Sequence, residues 1–176
     1  MAQNIGLRSA WECRAGSHNS SGQMTMTDKK LPKVLVVEDD EAIRGLLIAA
    51  LSREPLSVDG AADGREALRL CESSEYAVIM LDLMMPEFNG FQFLEAFRKN
   101  CASARSIIFV NTAYDDRVVS DLPADQVHAI IRKPFDVPLL TALISAAAHA
   151  WNSETRRHTR PVVFTYEDRA SAPASN

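Results

Sequence analysis

Four short apolar runs, Val34–Val37, Ala77–Leu81, Ile107–Val110 and Ala129–Ile131, punctuate this chain of 176 residues, and each stops at a polar side chain. A continuous run of that length has no polar face, so a strand made from it must be covered on both sides. Between the runs the period changes. Ile43, Leu46, Leu47, Ala50 and Leu51 recur at helical spacing, as do Ala67, Leu70 and Cys71, then Phe91, Leu94 and Phe97, then Leu140, Leu143, Ile144, Ala147 and Trp151. Leu56–Ala61 is a weaker run, broken by Asp59 and Gly60, which suits a sheet edge. A short helix over Asp116 to Ser120, cut off by Pro123, fills the remaining gap. Strands alternating with helices of this length predict right-handed crossovers and an α/β fold, a parallel sheet with helices on both faces.

Local signals mark the helix starts. Asp39 or Asp40 can cap the first helix, and Glu41 suits its first turn. Asp63-Gly64 opens the second helix. Residues 86–90, ending in Gly90, form a turn into the third. Asp136 can cap the last, where Pro138 is tolerated near the start.

The polar residues after the runs carry the functional signal. Glu38 and Asp39 end the first strand, Asp82 the third, Thr112 the fourth and Lys133 the fifth. In open parallel sheets the site lies off the carboxyl ends of the strands. Three carboxylates gathered there repel one another unless a cation compensates. Mg²⁺, a hard ion that takes oxygen ligands and keeps waters, fits the need. Asp39 and Asp82 would bind it directly, and Glu38 through a water. Asp82 would then be a nucleophile for a phosphoryl group, with Thr112 and Lys133 binding its oxygens. The plain alternative is a capped, salt-bridged sheet edge with no chemistry. Asp40 and Glu41 read as helix-start residues, and Arg132 points to the face opposite Lys133.

The rest of the chain bounds the function. Apolar residues make up 47% and charged residues 24%, enough for one packed domain, and a net charge of −4 gives no case for nucleic acid or an anionic membrane. No run is apolar for long enough to span a bilayer. Cys13, Cys71 and Cys101 are odd in number and widely spaced, which fits a reducing cytoplasm better than a disulfide framework. Residues 1–30, rich in Ser, Asn, Gly and Lys and interrupted by Trp11, read as a disordered extension, with Met24 or Met26 a candidate start. Residues 31–151 read as the folded domain. Residues 152–176 read as a flexible tail in which Val162–Tyr166 could form a short strand or docking segment.

The motifs together resemble a known family. Val34-Leu-Val-Val-Glu-Asp-Asp-Glu-Ala-Ile-Arg44 resembles the opening of a response-regulator receiver domain of two-component systems. Leu81-Asp-Leu-Met-Met-Pro-Glu-Phe-Asn-Gly90 resembles its phosphorylation loop, and Asn111-Thr-Ala113 and Lys133-Pro-Phe135 its other two signatures. The resemblance implies a flavodoxin-like sheet of order 2-1-3-4-5 and a stand-alone, chemotaxis-regulator-like switch. It implies Asp82 as phospho-acceptor, Thr112 and Lys133 as phosphoryl-binding groups, and Mg²⁺ held by Glu38, Asp39, Asp82 and the Met84 carbonyl. It also implies a cis Lys133–Pro134 bond. The donor would be a histidine kinase or a histidine phosphotransfer protein. Output would pass to a downstream protein, or to a homodimer, through the fourth helix, fifth strand and fifth helix. The 25 residues after Trp151 are too few for a helix-turn-helix output domain.

Several positions depart from the family pattern. Ile130 stands where a Tyr or Phe is usual, so the usual threonine–aromatic coupling is expected to be altered. Val127-His128 replaces a small-residue turn. Met84 and Tyr114, both bulky, border the expected water path, which predicts slow loss of phosphate. Other readings are a Mg²⁺-dependent aspartyl-phosphate phosphatase, which would want an Asp where Met84 stands, and a degenerate receiver acting as a scaffold.

Overall fold

The computed structural model describes residues 30–101, 105–113, 119, 122–151 and 162–164, the last three by backbone alone. Strand β1 (Lys33–Val37) leads to helix α1 (Glu41–Leu51), β2 (Ser57–Ala61), α2 (Gly64–Ser73) and β3 (Val78–Asp82). Helix α3 (Gly90–Asn100), β4 (Ile107–Thr112), β5 (Val127–Arg132) and α4 (Val137–Ala150) follow, and β6 (Val162–Phe164) comes last. All strands are parallel, in the order β2-β1-β3-β4-β5-β6. The expected order of the first five holds, and β6 adds a sixth strand beside β5, pairing Ile130 with Val163. The helix expected over Asp116 to Ser120 lies outside the described residues except for Val119, which is helical and buried.

Each central strand sends alternate side chains to two apolar layers. Leu35, Val37, Ile79, Leu81, Ile108 and Val110 pack toward Ala67 of α2 and Phe93, Leu94 and Phe97 of α3. Val34, Val36, Val78, Met80 and Phe109 pack toward Leu47 and Leu51 of α1 and Leu140, Ile144 and Ala148 of α4. This two-sided burial is why β1 and β3 read as unbroken apolar runs. The weak β2 run is indeed an edge strand.

The helix starts follow the caps. Asp40, rather than Asp39, caps α1, accepting from the Ala42 and Ile43 amides at 2.8 and 3.0 Å. Asp63 caps α2, and Asn89 with Gln92 forms a capping box on α3. One expectation needs correction. Leu46 is exposed, because the buried stripe of α1 runs through Leu47 and Leu51, with Ile43 and Ile48 at its margins. Gly90 does not occupy left-handed backbone, which falls instead to Glu87 at φ 62°. Gly90 is needed for closeness, since a Cβ there would lie 2.6 Å from the Asp82 carbonyl oxygen.

Cys71 and Cys101 are free and half-buried, packed against the α2–α3 side of the core. Burial pushes the Cys71 thiol up to about 12, so it stays protonated and unreactive. No helix among the described residues is long and apolar enough to cross a membrane.

Candidate functional site

The strand order brings the ends of β1, β3, β4 and β5 together. β1 and β3 are neighbours, so Glu38 and Asp39 come beside Asp82. Oxygens of these three carboxylates lie within 4.8 Å of one another. Glu38 and Asp82 are buried and Asp39 is exposed. Because Asp40 takes the capping role, the Asp39 carboxylate is left to the site.

Backbone contacts hold the acids in place. The Arg44 guanidinium, one turn into α1, donates to the Glu38 and Asp39 carbonyls at 2.7 and 3.2 Å. Asp82 Oδ1 accepts from the Met84 amide at 2.9 Å, which curls the loop after β3 over the carboxylate. The Gly90 amide closes that loop onto the Leu83 carbonyl at 3.3 Å. The Met84 side chain points to solvent, half exposed.

Lys133 enters from the end of β5. Its amide donates to the Thr112 carbonyl at 3.0 Å, and its bond to Pro134 is cis. The Lys133 ammonium lies 2.6 Å from Asp82 Oδ2 and 3.0 Å from both Glu38 oxygens. Burial alone would lower its pKa, but the bonds to Asp82 and Glu38 outweigh that and raise it. For Glu38 burial is the largest influence. The Lys133 bond opposes it and the Asp82 charge reinforces it, leaving the carboxyl pushed up to about 7.

One ammonium cannot neutralise three carboxylates. The donor set of hard oxygens gathered in one small space fits a divalent cation of the Mg²⁺ kind. Thr112 is fully buried at the end of β4, beside Asn111, the register partner of Asp82. The residues singled out on the sequence therefore sit at one rim of the sheet. Ile130 is buried in the core layer between the sheet and α2 and α3. His128 is a strand residue whose Nδ1 accepts from the Ile108 amide at 3.2 Å, where the β4–β5 register shifts. Tyr114 lies outside the described residues.

Two residues quoted in the sequence motifs were given no role in the site, Arg44 and Asn111. Arg44 looked like an ordinary exposed helix residue and carried no signal. Asn111 did carry one, a polar amide directly after the apolar run Ile107–Val110. It is buried, and its Nδ2 lies 3.5 Å from Glu38 Oε2.

A doubly wound parallel sheet with clustered acids and a lysine at the carboxyl ends of its strands has its polar site where open α/β proteins bind ligands. The chain belongs to the response regulator receiver domain family, whose model matches residues 34–145. The response regulator ArlR of Staphylococcus saprophyticus is 34% identical over 117 residues, covering 66% of this chain and 52% of that protein. The transcriptional regulatory protein PmrA of Pectobacterium parmentieri is 36% identical over 118 residues, covering 65% and 51%. The chain thus spans about half the length of these regulators. Among solved structures, chemotaxis protein CheY4 of Vibrio cholerae matches with a TM-score of 0.61 and 29% identity, covering 66% of this chain and 98% of that one. Response regulator TrrA of Thermotoga maritima, in complex with Mg(2+)-BeF, matches with a TM-score of 0.57 and 31% identity, covering 66% and 99%. Receiver domains of this family are phosphorylation-dependent signalling switches that generally take their phosphoryl group from histidine kinases.

Proposed function

We propose that this chain accepts a phosphoryl group on Asp82 and signals through protein contacts. The observation that carries the reading is the Lys133 ammonium 2.6 Å from Asp82, beside three carboxylates whose oxygens lie within 4.8 Å. Mg²⁺ would be held by Asp39, Asp82 and the Met84 carbonyl, with Glu38 acting through a water. When bound, the ion neutralises charge on the transferring oxygens. An Asp82 oxygen attacks the phosphorus of a phosphohistidine on a histidine kinase or phosphotransfer protein. The P–N bond breaks, and the imidazole leaves with the bonding pair and takes up a proton. Lys133 would then exchange part of its present carboxylate pairing for a phosphoryl oxygen, and Thr112 would bind another. The Mg(2+)-BeF complex of the similar TrrA supports this assignment.

Residues 31–151 would form the receiver, acting in the cytoplasm. Its output face would be β5 and α4 together with the chain segment between β4 and β5, offered to a downstream protein or a second copy. Met84 stands at a position that borders the water path in the family, and its bulk there would slow loss of the phosphoryl group by shielding it from water.

The test is incubation with acetyl phosphate and Mg²⁺ followed by intact mass. The protein should gain one phosphoryl group, Asp82→Asn none, and Asp39→Asn far less. Equal gain by Asp82→Asn would sink the reading. Loss of label within seconds, with Mg²⁺ present, would sink the shielding claim.

A further inference from the structure

Asn111 is an anomaly in its strand. The four residues before it are apolar, yet this amide is 1% exposed at the end of β4. Its Nδ2 donates to Glu38 Oε2 at 3.5 Å, while its Oδ1 is buried with no hydrogen-bond partner among the described residues. A buried acceptor with no donor is costly, so the position is poor for stability alone. An apolar residue of the same size would extend the run and remove the cost.

We infer that Asn111 is a positioning residue for the ion and phosphoryl site, holding Glu38 and presenting Oδ1 to a donor that arrives when the site is loaded. The inference rests on the proposed function and deepens it. Glu38 is buried and, among the described residues, accepts from Lys133 and Asn111. Lys133 serves Glu38 and Asp82 at once and cannot keep every bond while pairing with a phosphoryl group. As Lys133 turns away, the Asn111 amide would still hold Glu38 in a water-poor place. Asn111 sits directly across from Asp82 in the β3–β4 register, so it keeps station while the lysine moves. The free Oδ1 completes the picture. Waters bound to a divalent cation are strong donors, and they would satisfy the acceptor that the present contacts leave alone.

The experiment compares the unmodified full chain with Asn111→Leu, of similar size and shape. Mg²⁺ affinity is measured by calorimetry, and thermal midpoints are taken in chelator and in saturating Mg²⁺. Asn111→Leu should bind Mg²⁺ about tenfold more weakly. Its midpoint in chelator should equal or exceed that of the unmodified chain, and its gain on adding Mg²⁺ should shrink. Unchanged affinity overturns the inference while leaving the proposed function standing. No Mg²⁺ uptake by the unmodified chain overturns both. Should Asn111→Leu fail to fold, the side-chain amide resonances of Asn111 in the unmodified protein decide. They should shift on adding Mg²⁺ and gain protection from exchange with beryllofluoride, and static resonances overturn the inference.

Discussion

Lys33 and Lys133 sit at opposite ends of the parallel sheet, and each faces a carboxylate, 3.4 Å from Asp59 in one case and 2.6 Å from Asp82 in the other. The chemistry of the pair is the same, and the surroundings differ. The Asp59 side chain is 39% exposed and the Asp82 side chain 3%. Asp59 is already served by the Tyr76 hydroxyl at 2.7 Å, and Lys33 by Ser74 Oγ at 3.1 Å, while Lys33 also lies over the Tyr76 ring. The Lys33 cluster is complete as it stands. The Lys133 cluster has one ammonium for three acids, two of them buried. The difference teaches that excess like charge behind a barrier to water, rather than ion pairing itself, makes a lysine–carboxylate contact a receptive site.

The sharpest way to break this contrast is Lys133→Met. It leaves Glu38 and Asp82 without their main cation and should cost roughly 2–3 kcal/mol in chelator at neutral pH. The full cost of two unpaired buried charges is avoided because Glu38 can take up a proton. Mg²⁺ should recover much of the loss, as read by urea titration with and without the ion. A loss below 1 kcal/mol would place the two lysines in the same class.

The next effect is in pH. The folded-state value for Glu38, about 7, lies above its ordinary 4.5, so the folded chain binds more protons between these limits. Without divalent ions the Glu38 share of stability is therefore fully present below pH 4.5 and lost as pH rises through about 7. Saturating Mg²⁺ should flatten or reverse that slope. A stability that rises through this window in chelator would contradict the account.

At the other cluster, Tyr76→Phe removes one hydrogen bond to Asp59 and should cost about 1 kcal/mol. Burial is the main cause that raises the Tyr76 pKa, and its bond to Asp59 adds to it. The sign is again protective at lower pH. The tyrosine share is intact below pH 10 and disappears above it, and Tyr76→Phe should lose that alkaline decline. The smallest effect is expected from Lys33→Met, a few tenths of a kcal/mol, because its partner is solvated and the pair is screened by salt. A cost equal to that of Lys133→Met would refute the comparison.

Much of the site was legible because parallel sheets turn a one-dimensional pattern into a place. Glu38, Asp39, Asp82, Thr112 and Lys133 each follow an apolar run, and the runs end at one rim of the sheet. The capping roles of Asp63 and Asp136 were local and equally readable. Leu46 misled because periodicity gives the width of an apolar stripe but not where its neighbours stop covering it.

Sequence by itself determined the strands β1 to β5, the helices α1 to α4 and the residues that stand at their ends, since burial on two faces and helical period are properties of a few consecutive residues. Only the tertiary structure decided that Asp40 rather than Asp39 turns to the helix, that Asn111 meets Glu38, that Arg44 grips two carbonyls, and that Val162–Phe164 lies along β5. These depend on distances between segments far apart in the chain, and such distances exist only once strand order and register have been set.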